Sequence, residues 1–148
     1  MVRKRKQRGL ERRKEKSRKD EFSISVCMIQ LRSVLKPADN SGAKKLKVIG
    51  VPARAGKTAT IGHVVNCIVD GADPNGAVSD REKVKVLIVR TKKEIGRKDG
   101  TYLRFDDNAG VIIDKSGLPK GTRILGPIAR EIKEIGYTKI SSLAREVV

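Results

Sequence analysis

Aromatic side chains are almost missing from this sequence, which holds two Phe, two Tyr and no Trp in 148 residues. The four are Phe22, Tyr102, Phe105 and Tyr137. A surface that binds single strands by stacking bases on ring faces needs more rings than this. If nucleic acid is the partner, phosphate and shape contacts must dominate. Cysteine is equally scarce. Cys27 and Cys67 form no close pair, which argues against a disulfide framework or a zinc site and marks both as small apolar residues in a reducing compartment. No apolar run approaches the roughly 20 residues that a spanning helix needs. A membrane-spanning segment is therefore not expected. Of the partners that positive charge could serve (nucleic acid, an anionic membrane or an acidic protein), a membrane is not expected here.

Catalytic chemistry is also thin. Histidine occurs once, at His63, with no clustered metal ligands or base-orienting partners, so it reads as a surface residue where a strand starts. Asp106 and Asp107 look like paired carboxylates, but adjacent residues on a strand point to opposite faces. They read as hairpin or bulge chemistry, or as partners for Arg90 and Arg104. Ser41 has no nucleophile-elbow context. The "AGKT" of residues 55–58 invites a phosphate-loop reading, yet that motif needs a glycine five places before Gly56. Val51 stands there, and Gly50 is one residue too early. The following "TATIGHVVN" continues as strand rather than opening a helix. Neither an enzyme, a cofactor nor a small-molecule substrate is expected.

Positive charge is what the chain has in abundance: 34 Lys and Arg against 17 Asp and Glu, a net +17. Charge on this scale speaks about partners rather than fold. Residues 1–21 hold eleven Lys and Arg against four Asp and Glu, net +7. That segment has too little apolar surface to offset its ordering entropy. It lacks the apolar stretch of a secretory signal, and its acids fit a mitochondrial presequence poorly. Residues 1–27 are expected to be a basic extension, disordered or loosely helical when free, that orders on RNA. A solvated tail is the alternative, as is upstream sequence ahead of a start at Met28.

From residue 28 the pattern changes to short strands and turns. "MIQLRSVLK" ends at Pro37. "AKKLKVIGV" alternates, with Leu46 and Val48 on one face and Lys45 and Lys47 on the other, the period of a half-exposed strand. "HVVNCIVDG", "KVKVLIVR" and "NAGVIID" follow, separated by turn chemistry at "ADNSG" and "DPNG". Five or six such strands suggest a small closed barrel. Pro127 suits a first helical position. Ile128, Ile132 and Ile135 then follow at helical spacing and Gly136 stops the run. "KISSLAREVV" is expected to add a second helical turn.

The densest folded charge lies in "VRTKKEIGRKDGTYLRF", residues 89–105. Six cations (Arg90, Lys92, Lys93, Arg97, Lys98 and Arg104) stand there against Glu94 and Asp99 alone. Held on a strand pair, they form a rigid array whose phosphate contacts fix position as well as adding affinity. Lys44, Lys45 and Lys47 supply a second positive strand face, and Arg54 and Lys57 a basic rim loop. Lys115 and Lys133 read as ordinary solvated lysines.

Three motifs, "ADNSGAK", "VLIVRTKKEIGRKDGTYLRFDDNAGVII" and "GTRILGPIARE", occur in order. Together they resemble the universal large-subunit ribosomal protein fourteen family, bacterial or organellar type, over residues 28–148. The resemblance implies a mainly β fold, a five-stranded antiparallel β-barrel with a protruding basic hairpin and short C-terminal helices. It implies a structural component of the large subunit that binds large-subunit rRNA and helps form an intersubunit bridge to small-subunit rRNA. Implied neighbours are large-subunit ribosomal proteins three and nineteen and the ribosomal silencing factor. The bridge and silencing-factor surface carries over onto Thr122, Arg123 and Lys139, and the basic ribbon onto the six hairpin cations. The implied location is the cytoplasmic ribosome of a bacterium, or alternatively a mitochondrial or plastid ribosome. A free-standing RNA-binding barrel is the rival reading, and it gives no reason for "GTRILGPIARE". The chain departs from the family pattern in the charge-poor "NGAVSDRE" of residues 75–82, in His63 at a usually acidic place, and in Arg145 at a proline place. The last of these is expected to make the chain end more helical.

Overall fold

A computed structural model describes residues 29–148 of the protein; the basic extension of residues 1–27 lies outside them. In chain order the strands are β1 (Val34–Pro37), β2 (Ala43–Gly50), β3 (Val64–Ala72), β4 (Lys83–Arg90), β5 (Ile95–Gly96), β6 (Tyr102–Leu103), β7 (Ala109–Ile113) and β8 (Ile124–Ile128). Helices α1 (Glu131–Ile135) and α2 (Thr138–Leu143) and strand β9 (Ala144–Val147) complete the chain.

Strands β1, β2, β3, β4 and β7 close into a barrel in that order. The alternation read from the sequence is the alternation of the walls. Leu46 and Val48 of β2, Val65, Cys67 and Val69 of β3, and Val84 and Val86 of β4 are buried in the core. The intervening Lys45, Lys47, Lys83 and Lys85 are exposed. One detail of the expected antiparallel barrel is corrected. β1 and β7 pair in parallel, Lys36 opposite Ala109 and Pro37 opposite Gly110. An odd number of strands cannot alternate direction around a closed ring, so one junction must be parallel. Gly110 stands at that junction, where a Cβ would overlap Val86 Cγ1.

β4 changes character along its length. Its first half alternates, whereas Val86 to Arg90 are all buried, as a strand covered on both faces must be. Pairing with β7 slips between Ile88 and Arg90. The extra residue, Val89, is a bulge, and a bulge re-aims the side chain that follows. Arg90 is thereby turned toward the C-terminal segment.

That segment differs from expectation. Pro127 and Ile128 do not open a helix; they end β8, which pairs in parallel with β9 at Ile124–Ala144, Pro127–Glu146 and Ile128–Val147. The helix begins only at Glu131. Ile128 and Ile132 are buried, but Ile135, the third member of the apparent helical stripe, is 52% exposed. Gly136 does stop α1, with φ +118° and its N–H returned to Ile132 and Lys133. The stretch around Arg145 is strand rather than helix, because β8 offers it a pairing edge. His63 is also corrected. It is half-buried, not a surface residue, in a turn before β3, where its Nδ1 accepts the Thr60 N–H at 3.0 Å. Burial lowers its pKa.

Candidate nucleic-acid interface

The basic segment leaves the barrel at Arg90 and returns at Ala109. Its two-residue strands β5 and β6 pair at Ile95–Leu103 and Gly96–Tyr102. The tip is a tight turn. The Arg97 N–H donates to the Thr101 carbonyl at 2.8 Å, and Gly100 takes φ +84°. Asp99 Oδ1 accepts from the Thr101 hydroxyl at 2.6 Å and from its N–H at 3.0 Å. These bonds hold the Asp99 carboxyl below its usual range. Leu103 and Phe105 anchor the returning arm in the core.

The six cations divide into two sets. Arg90 is directed inward, its side chain only 7% exposed. Its Nε donates to Asp107 Oδ1 at 3.0 Å, and its Nη1 donates to the carbonyls of Leu125 at 2.7 Å and Pro127 at 3.1 Å. Arg97 reaches α1. Its Nε donates to Glu131 Oε1 at 2.6 Å and its Nη2 to Glu131 Oε2 at 3.2 Å. Both arginines join the hairpin to the C-terminal segment. Lys92, Lys93, Lys98 and Arg104 are exposed. Lys93 meets Glu94 at 3.0 Å, an exposed pair of small energetic weight.

On β2, Lys45 and Lys47 face outward as expected, and Lys47 pairs with Asp70 across to β3 at 2.9 Å. That hydrogen bond and the lysine's charge lower the Asp70 pKa. Lys44 lies 4.0 Å from Asp73. Arg54 belongs to a one-turn 3-10 segment, Ala53–Ala55, and it and Lys57 are exposed. The segment places "AGKT" on a tight loop with no helix behind it.

Thr122 and Arg123 lead into β8 and are exposed; Lys139 is exposed on α2. The Thr122–Arg123 backbone is fixed by one residue far away in sequence. Asn40 Oδ1 accepts the N–H groups of Thr122 at 2.8 Å and Arg123 at 3.0 Å, and Asn40 Nδ2 donates to Thr122 Oγ1 at 3.0 Å. Gly121 allows the approach, since a Cβ there would lie 2.9 Å from Asp39 Cβ. Asp39 is itself buried, accepting from the Ser41 hydroxyl at 2.7 Å and the Ile112 N–H at 3.0 Å. The "ADNSG" turn is therefore a clasp for the loop before β8.

A barrel with this hairpin and this clasp is matched by one family model. The model described as ribosomal protein L14p/L23e matches residues 28–148. The chain belongs to that family. It is 56% identical over 121 residues to the large ribosomal subunit protein uL14 of Petrotoga mobilis, covering 81% of this chain and 99% of that protein. The protein of the same name from Aquifex aeolicus is 53% identical over 121 residues, covering 82% of this chain and all of its own length. Membership in the L14p/L23e family implies a structural role in the large ribosomal subunit.

Within this L14p/L23e barrel, further outward lysines escape a reading of the sequence alone. Lys83 and Lys85 stand on the solvent face of β4, and Lys120 meets Glu82 at 3.0 Å. The signal is present in the alternation of "KVKV", but the charge of the neighbouring hairpin masks it. The acids of the charge-poor loop 75–82 are tied to nearby backbone N–H groups at the surface. Asp80 Oδ1 accepts the Gly71 N–H at 2.7 Å, and Glu82 Oε2 accepts the Ser79 N–H at 3.0 Å.

Proposed function

We propose that the protein is a non-enzymatic constituent of the large ribosomal subunit that binds large-subunit rRNA through its exposed hairpin cations and presents a bridge surface to small-subunit rRNA. The observation that carries this reading is the division of labour in the hairpin. Arg90 and Arg97 are bound to the fold, while Lys92, Lys93, Lys98 and Arg104 are exposed. A strand pair so anchored offers its cations without the ordering cost of a loose tail, and such contacts fix orientation on a phosphate backbone. Lys44, Lys45, Lys47, Arg54 and Lys57 extend the positive surface. Thr122, Arg123 and Lys139 form the bridge and silencing-factor surface, and ribosomal proteins three and nineteen are its protein neighbours. The bacterial relatives favour a bacterial-type ribosome in the cytoplasm.

The test replaces Lys92, Lys93 and Arg104 with Glu in a tagged chain expressed in cells. Incorporation into large subunits on a sucrose gradient should fall severalfold while the isolated variant keeps its thermal midpoint. Undiminished incorporation would overturn the reading. Alanine at Arg123 and Lys139 should instead leave large subunits intact but slow their joining to small subunits.

A further inference from the structure

Away from the hairpin, a groove of about 430 Å³ opens on the outer wall of the barrel, lined by Ile49, Asn66, Lys83, Lys85, Ile113 and Lys115 among others. We propose that this groove is a second phosphodiester-binding site, which holds one strand of folded RNA independently of the hairpin. The inference rests on the rRNA-binding reading above, and it assigns a contact that the hairpin does not provide.

Strand register places the cations. Lys47 of β2 lies opposite Ile68 of β3, which lies opposite Lys83 of β4. One row along, Asn66 lies opposite Lys85, and Lys85 opposite Ile113 of β7. Residues two apart on a strand share a face and stand about 7 Å apart, and neighbouring strands about 4.8 Å. Lys83 and Lys85 thus repeat at a spacing comparable to that of consecutive phosphates on one strand. Lys115 projects from the turn that follows β7.

An outward lysine on a barrel strand is ordinarily a solvated one, and three observations separate this group from that case. The cations line a concavity rather than a convex wall. Lys83, Lys85 and Lys115 have no ion pair among the described residues, and of the neighbouring acids Glu82 and Asp70 are engaged elsewhere, while Asp114 stays exposed in the lining. Glu82 is bound by Lys120 and by the Ser79 N–H, and Asp70 by Lys47. The four lysines of the lining exceed its two acids, Glu82 and Asp114, by two charges. The groove also carries Ile49, 42% exposed, and the exposed amide of Asn66. An apolar flank against a ribose and an amide for a hydroxyl or phosphate oxygen fit a nucleic-acid backbone better than a bare ion. An acidic peptide is the competing occupant, and crosslinking distinguishes it.

The experiment uses the full chain and protein-free large-subunit rRNA in a filter-binding titration across salt concentrations. Removing one phosphate-binding cation makes the slope of log K against log salt shallower by about 0.7–0.9. Gln at Lys83, Lys85 and Lys115 together should weaken binding at least tenfold at near-physiological salt and make the slope shallower by about 2. Gln at Lys92, Lys93 and Arg104 should act separately and add to that loss. If the unaltered chain does not bind rRNA, the functional reading itself fails. If it binds, and the groove variant keeps its affinity and slope while the hairpin variant loses both, the groove inference alone is overturned. A photo-crosslinking amino acid at Asn66 in assembled large subunits should label rRNA. Label on a ribosomal protein instead would overturn the inference in favour of a peptide occupant.

Discussion

Arg97 Nε lies 2.6 Å from Glu131 Oε1, and the two side chains are only 14% and 10% exposed. The pair joins the hairpin tip to the first turn of α1 across 34 positions of sequence. Its fork geometry, with a second bond at 3.2 Å, is the bidentate arrangement that only Arg supplies. The Glu131 hydrogen bond raises the Arg97 pKa further.

This pair sits between an exposed bridge, worth under about 1 kcal/mol, and a fully buried one, whose breakage costs about 3–5 kcal/mol. Arg97→Ala and Glu131→Ala should each destabilise the protein by about 2 kcal/mol in urea unfolding. The double variant should cost much less than the sum, because each single change strands the other charge. Additive costs would mean that the two residues act through other partners.

How much of this is legible in the sequence depends on the range of the interaction. The alternation of "AKKLKVIG" and "KVKVLIVR" names β2 and β4, because period-2 burial is written locally. Gly136 as a helix stop is equally local. The roles of Arg90 and Arg97 are not. The sequence does offer Asp107 as a partner for Arg90, but only the return of the chain at Leu125 and Glu131 ties Arg90 and Arg97 to the C-terminal segment and sets them apart from their hairpin neighbours. The same holds for Pro127. Its helical promise loses to an edge that β9 supplies from some twenty residues further on. Asn40 reads as turn chemistry, and its second role emerges only when Thr122 and Arg123 come beside it.

Gly126 has φ +83°, and a Cβ there would stand 2.6 Å from Arg90 Nη1. That guanidinium cannot swing away without giving up Asp107 and two backbone carbonyls. Gly126→Ala therefore combines left-handed backbone strain of about 1–2 kcal/mol with the clash. A loss of about 2–3 kcal/mol in urea unfolding is expected. A thermal midpoint equal to that of the unaltered protein would show that Arg90 is free to relocate.

Glu82 gives a pH-dependent prediction. The Ser79 N–H, then Lys120, hold its pKa below the usual carboxylate range. A depressed pKa means that the unfolded chain binds the proton more readily, so the contribution is complete above the unfolded value of about 4.3 and fades as pH falls through the folded one. Because the pair is partly exposed, Glu82→Gln should cost less than about 1 kcal/mol at pH 7. The difference from the unaltered protein should close in acid, as both forms become neutral. A gap that persists at the lowest measurable pH would assign the loss to packing instead.

The Asn40 side chain is exposed to solvent in part, yet it makes three bonds that set the backbone from which Thr122 and Arg123 project. Asn40→Ala removes one acceptor of two N–H groups and the donor to Thr122 Oγ1. Water can replace these bonds at an exposed site, so the stability cost should stay near about 1 kcal/mol. The loss of order should be larger than the loss of stability, because water holds neither N–H in a fixed direction. Asn40→Ala should therefore enter large subunits normally but join small subunits severalfold more slowly. Asn40→Asp should fall between the two, since it keeps the acceptor for both N–H groups and loses the donor to Thr122. Joining at the unaltered rate in Asn40→Ala, with Arg123→Ala impaired in the same assay, would show that the loop holds its shape without the clasp.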